Sequence, residues 1–191
     1  MLSLQGSFAS GTLARGEKHF MIDWMPDAPA PWYGATMASP IGSLWVAFTS
    51  QALVAAAFSA SLPTDLYGCS LQRLMAPDWI LDLFAAAFEG QKRLRWPLID
   101  GGYTRLDRAL MSKASDIPFG ESCAYGTLAA EAGYPGRARA AGRAMRRAPV
   151  AYLIPTHRVI RADGSPAPCQ RDDLNRLLRQ WEADRRGQPS F

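Results

Sequence analysis

Residues 122–147 constrain this chain more than any other stretch, because their punctuation and spacing call for two short helices meeting at a tight turn. Ser122 offers an N-cap, Ala124 to Ala132 reads as a helix closing at Gly133, and Tyr134-Pro135-Gly136 supplies the turn. A second helix is predicted from about Arg137 to Arg147, with Ala138, Ala141, Ala144 and Met145 facing the first. Arg139, Arg143 and Arg146 stand at i, i+4 and i+7 and so share another face. Arg137, Arg139, Arg143, Arg146 and Arg147 fall in one short run with no acid among them, and Arg158 and Arg161 follow. Such a basic helix suits a DNA groove and its phosphates, with a solvated helix face as the plainer alternative.

The rest of the composition narrows the class. At 191 residues and 48% hydrophobic content, the chain can bury one good core, or one with a small second lobe. Its longest apolar runs, Ala52 to Phe58 and Ile80 to Phe88, fall well short of the ~20 residues a membrane span needs. Residues 1–20 lack the apolar centre of a secretory signal, so a cytoplasmic location is expected. Cys69, Cys123 and Cys169 are widely spaced, and with only His19 and His157 beside them they make no disulfide framework or metal-ligand pattern. We therefore expect no metal and no cofactor. The net charge of +4 is concentrated in the C-terminal half.

Residues 1–35, rich in Gly, Ser, Ala and Pro and closed by Pro26, Pro29 and Pro31, read as a poorly ordered extension. An N-terminal α/β domain is predicted over 36–101. It holds a hairpin of Leu44 to Thr49 with Ala52 to Ser59, a helix over Asp78 to Phe88, and a strand over Arg93 to Leu98 before the Gly101-Gly102 break. Residues 102–186 are predicted to form a helical domain, beginning with a helix from Thr104 to Ala114 and ending with one from Asp172 to Ala183. The expected fold is a small α/β lobe, sheet plus helix, followed by a helical lobe carrying a helix-turn-helix.

Five motifs occur in one order: Ile117-Pro118-Phe119-Gly120-Glu121, Ala124-Tyr125-Gly126-Thr127-Leu128-Ala129, Gly133-Tyr134-Pro135, Ala138-Arg139-Ala140-Ala141-Gly142, and Pro155-Thr156-His157-Arg158-Val159-Ile160. Together with Ser39-Pro40-Ile41-Gly42 and Ala56-Ala57-Phe58, they make the chain resemble the O6-alkylguanine-DNA alkyltransferases over roughly residues 36 to 182. The resemblance implies a ribonuclease-H-like N-terminal lobe and a protein that enters the minor groove, flips a guanine and draws its alkyl group onto a cysteine. On that pattern Tyr125 helps rotate the nucleotide out, and Arg139 is the arginine finger that fills the vacated space. It adds Ala138, Arg143, Arg146 and Arg158 as DNA contacts. It also makes Tyr125, Ala148, Pro155, Thr156, Cys169 and Gln170 the lining of the lesion pocket.

The chain departs from the family where the chemistry happens. Thr156 stands at the acceptor cysteine, and a threonine hydroxyl stays protonated where a thiolate would attack. Ala148 replaces an asparagine that braces the active-site turn, and Ser165 to Arg171 replaces a loop of tyrosine, serine and glycines. His157 persists, and Glu182 matches the glutamate that partners it, although counting from Leu177-Leu178 puts that match one residue earlier, on Trp181. The resemblance thus implies an alkyltransferase-like protein that binds alkylated guanine without alkyl transfer. Its expected partners are double-stranded DNA and excision-repair proteins, with no membrane and a monomeric state. Two alternatives stay open: an active alkyltransferase with its nucleophile relocated to Cys169, and a DNA-binding protein indifferent to lesions.

Overall fold

The computed structural model describes residues 21–25, 31–91, 95–165 and 172–186. The predicted hairpin is present as β3 (Gly42–Phe48) and β4 (Leu53–Phe58), antiparallel with Trp45 opposite Ala57. Their connection is held by the Thr49 hydroxyl, which accepts the N–H groups of Gln51 and Ala52. Upstream, β2 (Trp32–Ser39) pairs antiparallel with β3 through a turn in which Gly42 takes φ +127°, a conformation that favours glycine. β1 (Met21–Met25) lies parallel to β7 (Arg95–Ile99), and β7 borders β4 through Leu53 and Leu98. β5 (Asp65–Leu66) and β6 (Cys69–Arg73) complete a seven-stranded mixed sheet of order β1-β7-β4-β3-β2-β6-β5.

The structure corrects the reading of residues 1–35 as an extension: Met21–Met25 and the start of β2 at Trp32 are strands of the sheet. The pairing that stabilises β1 comes from β7, far along the chain, so no local turn signal marks it. In β2, Gly34 looks like a breaker but answers a close approach, since a Cβ there would meet Leu62 Cδ2 at 2.9 Å.

α1 (Asp78–Phe88) buries Ile80, Leu83, Phe84, Ala87 and Phe88 in one core with Leu44, Val46, Leu53, Trp96 and Leu98. That core continues without a break into the helical lobe through Leu110, Leu128, Ala141, Val150 and Ile154. α2 (Arg105–Ser115) opens with a capping box in which the Thr104 hydroxyl accepts the Asp107 N–H and Asp107 accepts from the Thr104 N–H. α3 (Tyr125–Glu131), α4 (Ala138–Arg147) and α5 (Asp172–Arg186) follow. Ser122 does not cap α3. The cap position is Ala124, and β8 (Cys123–Ala124) pairs parallel with β9 (Val159–Ile160), tying the start of α3 to the chain beyond Thr156. The lobes are also joined by backbone: Ala56 donates to Pro149 O and Ala151 donates to Ala56 O, both at 2.9 Å. Among the described residues no helix is long and apolar enough to cross a membrane.

Candidate nucleic-acid interface and reactive centre

The α3 and α4 pair packs through small side chains. Ala140, Ala141, Ala144 and Met145 are the buried residues of α4, against Leu128 and Ala129 of α3. Ala138, predicted on the inner face, is exposed: it begins the helix, and the buried stripe starts two residues later at Ala140. Gly133 closes α3 at φ +86°, and Gly136 at φ +76° turns the chain into α4. Arg137, Arg139, Arg143 and Arg146 are all exposed, and none forms an ion pair among the described residues. A Cβ on Gly142 would lie 3.9 Å from both Tyr125 Cε1 and Arg146 Nη1, so this glycine brings the half-buried tyrosine and the arginine face together. The arrangement is a free guanidinium surface on a helix, with an aromatic ring at its flank.

Behind this face, residues 148–160 form a tight turn around the Thr156 position. Pro155 is buried, Thr156 is half-buried, and Thr156–Arg158 makes one turn of 3-10 helix before β9. His157 and Glu182 are each 1% exposed, and His157 Nε2 lies 2.8 Å from Glu182 Oε1. Burial, partly opposed by the charge of Glu182, pushes the imidazole below its ordinary range. Burial alone would raise Glu182, but hydrogen bonds from His157 and Arg158 outweigh it and hold the carboxyl at about 2. A neutral imidazole facing a carboxylate must donate through Nε2–H, which leaves Nδ1 as its acceptor. Arg158 clasps the same carboxylate, with Nε 3.0 Å from Oε2 and Nη2 2.7 Å from Oε1, and gives Nη1 to the Ile117 carbonyl at 2.7 Å. Gly120 N–H donates to Glu182 Oε2 at 3.0 Å, and Arg179 Nη1 to the His157 carbonyl. Tyr152, held at φ +72°, stacks on His157 with ring centres 5.5 Å apart.

Comparisons with known proteins place this geometry. The family model "6-O-methylguanine DNA methyltransferase, DNA binding domain" matches residues 105–184, which include the α3–α4 pair, the Thr156 turn and Glu182. Residues 105–184 thus resemble that domain. The chain is 57% identical over 49 residues to the mouse methylated-DNA–protein-cysteine methyltransferase, a match covering 26% of this chain and 23% of that protein. The chain spans between 23% and 39% of the length of the curated relatives it matches in sequence. A solved variant of the Mycobacterium tuberculosis O6-methylguanine methyltransferase is 28% identical, covers 84% of this chain and 97% of its own, and superposes at TM-score 0.69. A structure of the M. tuberculosis protein in complex with DNA aligns at TM-score 0.64 and 28% identity, covering 80% of this chain and 94% of that one. The sheet lobe followed by a helical lobe is thus the alkyltransferase architecture.

Within residues 105–184, the structure sorts the sequence-predicted residues into three groups. Arg139, Arg143, Arg146 and the exposed Ala138 share the outer part of α4, with Tyr125 alongside. Pro155, Thr156 and His157 form the turn, and Glu182, not Trp181, is the partner of His157. Trp181 instead packs edge-on against Phe88 and Phe119. Arg158 is a correction: at 5% exposure, with its guanidinium spent on Glu182 and Ile117, it braces the turn and has no surface to offer DNA. Ala148 is half-buried at the end of α4. Cys169 and Gln170 lie outside the described residues. Sequence reasoning missed Tyr152 and Arg179, whose roles depend on contacts with no periodic signature.

Proposed function

We propose that this chain is an alkyltransferase-like DNA-binding protein that recognises alkylated guanine through the minor groove and a flipped base, without accepting the alkyl group. The single observation that carries this reading is a preserved apparatus around a replaced nucleophile. The His157–Glu182–Arg158 network is complete, and the sequence resemblance puts Thr156 at the position of the acceptor cysteine. A hydroxyl with an ordinary alcohol's acidity remains protonated at neutral pH and is a poor nucleophile toward an alkyl carbon. The α3–turn–α4 unit acts in this reading as a helix-turn-helix, with Arg139 as the finger, Tyr125 as the residue that turns the nucleotide out, and Ala148, Pro155 and Thr156 bordering the pocket. A ribonuclease-H-like description of the sheet lobe belongs to the same reading and rests on its antiparallel β2–β3–β4 meander with parallel strands beside it. Double-stranded DNA is the partner, and excision repair the process served.

The test is equilibrium affinity for two short duplexes differing only in one O6-methylguanine, at fixed near-physiological salt. A preference of about tenfold or more, ~1.4 kcal/mol, is expected for the lesion, with no mass added to the recovered protein. Equal affinities would overturn lesion recognition and leave a DNA-binding protein indifferent to alkylation. A stoichiometric gain of one methyl group would overturn the absence of transfer, and peptide mapping to Cys169 would then identify a relocated nucleophile.

A further inference from the structure

Apart from the main core, a smaller cluster of buried residues gathers Trp32, Ala47, Val54, Ala55 and Ile99 in the sheet lobe. Trp45 and Leu66 pack at its margin, and there a cleft of about 410 Å³ opens between the sheet lobe and the end of α4. Its sheet side is lined by Ala55 and Ala57, whose short side chains leave the room. Trp45, Tyr67 and Tyr103 contribute aromatic surface, and Arg146 and Arg147 contribute charge. The volume is within the range of small-molecule sites.

Three features define what would fit. Tyr67 is 67% exposed, its ring meeting Trp32 edge-on, so much of it stays open at the cleft. Arg147 is fixed: Nη1 lies 2.8 Å from Asp107 Oδ2, its guanidinium sits 5.3 Å over the Tyr103 ring, and its carbonyl accepts from the Tyr103 hydroxyl. Arg146 belongs both to the unpaired arginine face of α4 and to the cleft wall, so a phosphate chain following that face would be led into the cleft. Asp100 and Asp107, on either side of Tyr103 in the sequence, are each held by an arginine, Arg108 and Arg147.

Open aromatic faces beside two guanidinium groups recognise a planar base carrying an anion. We propose that this cleft is a nucleotide subsite, taking a base against Tyr67 and Trp45 and its phosphate at Arg146 and Arg147. Ala148 and Pro149 also line it, so it adjoins the border that Ala148 gives to the proposed Thr156 pocket. The nucleotide comes either from an unpaired stretch beside the bound duplex or from a free mononucleotide. The first source rests on the DNA-binding reading above and the second does not.

The experiment uses the full chain with three probes: a blunt duplex, the same duplex with a single-stranded thymidine extension of about four nucleotides, and thymidine monophosphate alone. The variant is Tyr67→Asn, because Tyr67 sits at φ +52° and asparagine tolerates that conformation while removing the ring. If the strand is the source, the extension is expected to tighten wild-type binding by about tenfold. Tyr67→Asn should then cancel that gain without changing blunt-duplex affinity. If a free nucleotide is the source, the monophosphate binds the wild type and loses that binding in Tyr67→Asn. The proposal is overturned if neither the extension nor the monophosphate is bound, or if Tyr67→Asn binds both as the wild type does. Loss of blunt-duplex binding with monophosphate binding intact would sink the DNA-binding reading and leave the cleft standing.

Discussion

The reactive centre turns on individual atoms. Thr156→Cys places a sulfur beside a histidine whose glutamate partner is in place, yet Ala148 offers no side-chain hydrogen bond to brace the turn. The expected outcome is little transfer, read as the fraction of protein gaining one methyl mass on incubation with an O6-methylguanine duplex; rapid stoichiometric methylation would refute this. Arg139→Ala tests the proposed finger on α4. It should abolish discrimination between alkylated and plain duplex, whereas a phosphate contact would lower both affinities alike. Glu182 carries a different load. Removing it as Glu182→Ala leaves the Arg158 guanidinium buried without its counter-ion, which costs about 3–5 kcal/mol, measured by denaturant unfolding. The carboxylate is also the point where α5, the Thr156–Arg158 turn and the Gly120 N–H meet, so the loss is structural before it is chemical.

At the scale of elements, α4 is held by contacts that tolerate no extra volume on one side and by a shared carboxylate at its end. Ala144 is fully buried, and Ala144→Leu would force α3 and α4 apart. A destabilisation of about 1–3 kcal/mol is expected from thermal or denaturant unfolding, with weakened DNA binding because the arginine face moves with the helix. Asp107 does two jobs, closing the capping box of α2 and receiving Arg147 from the end of α4. The Arg147 partner is half-exposed, so most of the loss on Asp107→Ala is the cap, about 1 kcal/mol, seen as a lowered unfolding midpoint. The elements legible in the sequence were those with local signals. The β3–β4 hairpin, α1, α2 and the α3–α4 pair have periodic apolar spacing or glycine and proline punctuation. β1 and the β8–β9 ladder had none, since each is short and stabilised by a partner distant in sequence.

For the whole molecule, pH is the sharpest probe of how α5 is held to the Thr156–Arg158 turn. His157 titrates below its ordinary 6.5 in the folded chain, so the unfolded chain takes up its proton first and stability begins to fall as pH drops below about 6.5. Glu182 is held at about 2 against an ordinary 4.5. Its contribution is full above 4.5 and is lost as pH falls through that window. Thermal unfolding from neutral pH to about pH 3 should therefore show two successive losses, and Glu182→Gln should remove the lower one. A midpoint flat across that range would contradict the pairing. On the proposed DNA-binding reading, duplex binding should also weaken steeply with salt, because the exposed arginines of α4 would meet phosphates.

Local chemistry was enough to reveal the two-lobed order of elements and the arginine face of α4. These follow from residue type and spacing along one helix or one turn. Tertiary structure decided the rest. It chose Glu182 over Trp181 because helix rotation, not residue count, brings a side chain to His157. It took Arg158 out of solvent because a buried carboxylate and a free carbonyl needed its donors. It drew residues 21–25 into a sheet because β7 supplied an edge to pair with. It opened an aromatic and basic cleft where Tyr67, Trp45 and Arg146, remote in sequence, meet between the lobes. Position along a chain encodes periodicity, while burial and partner choice depend on distances that exist only once the chain has folded.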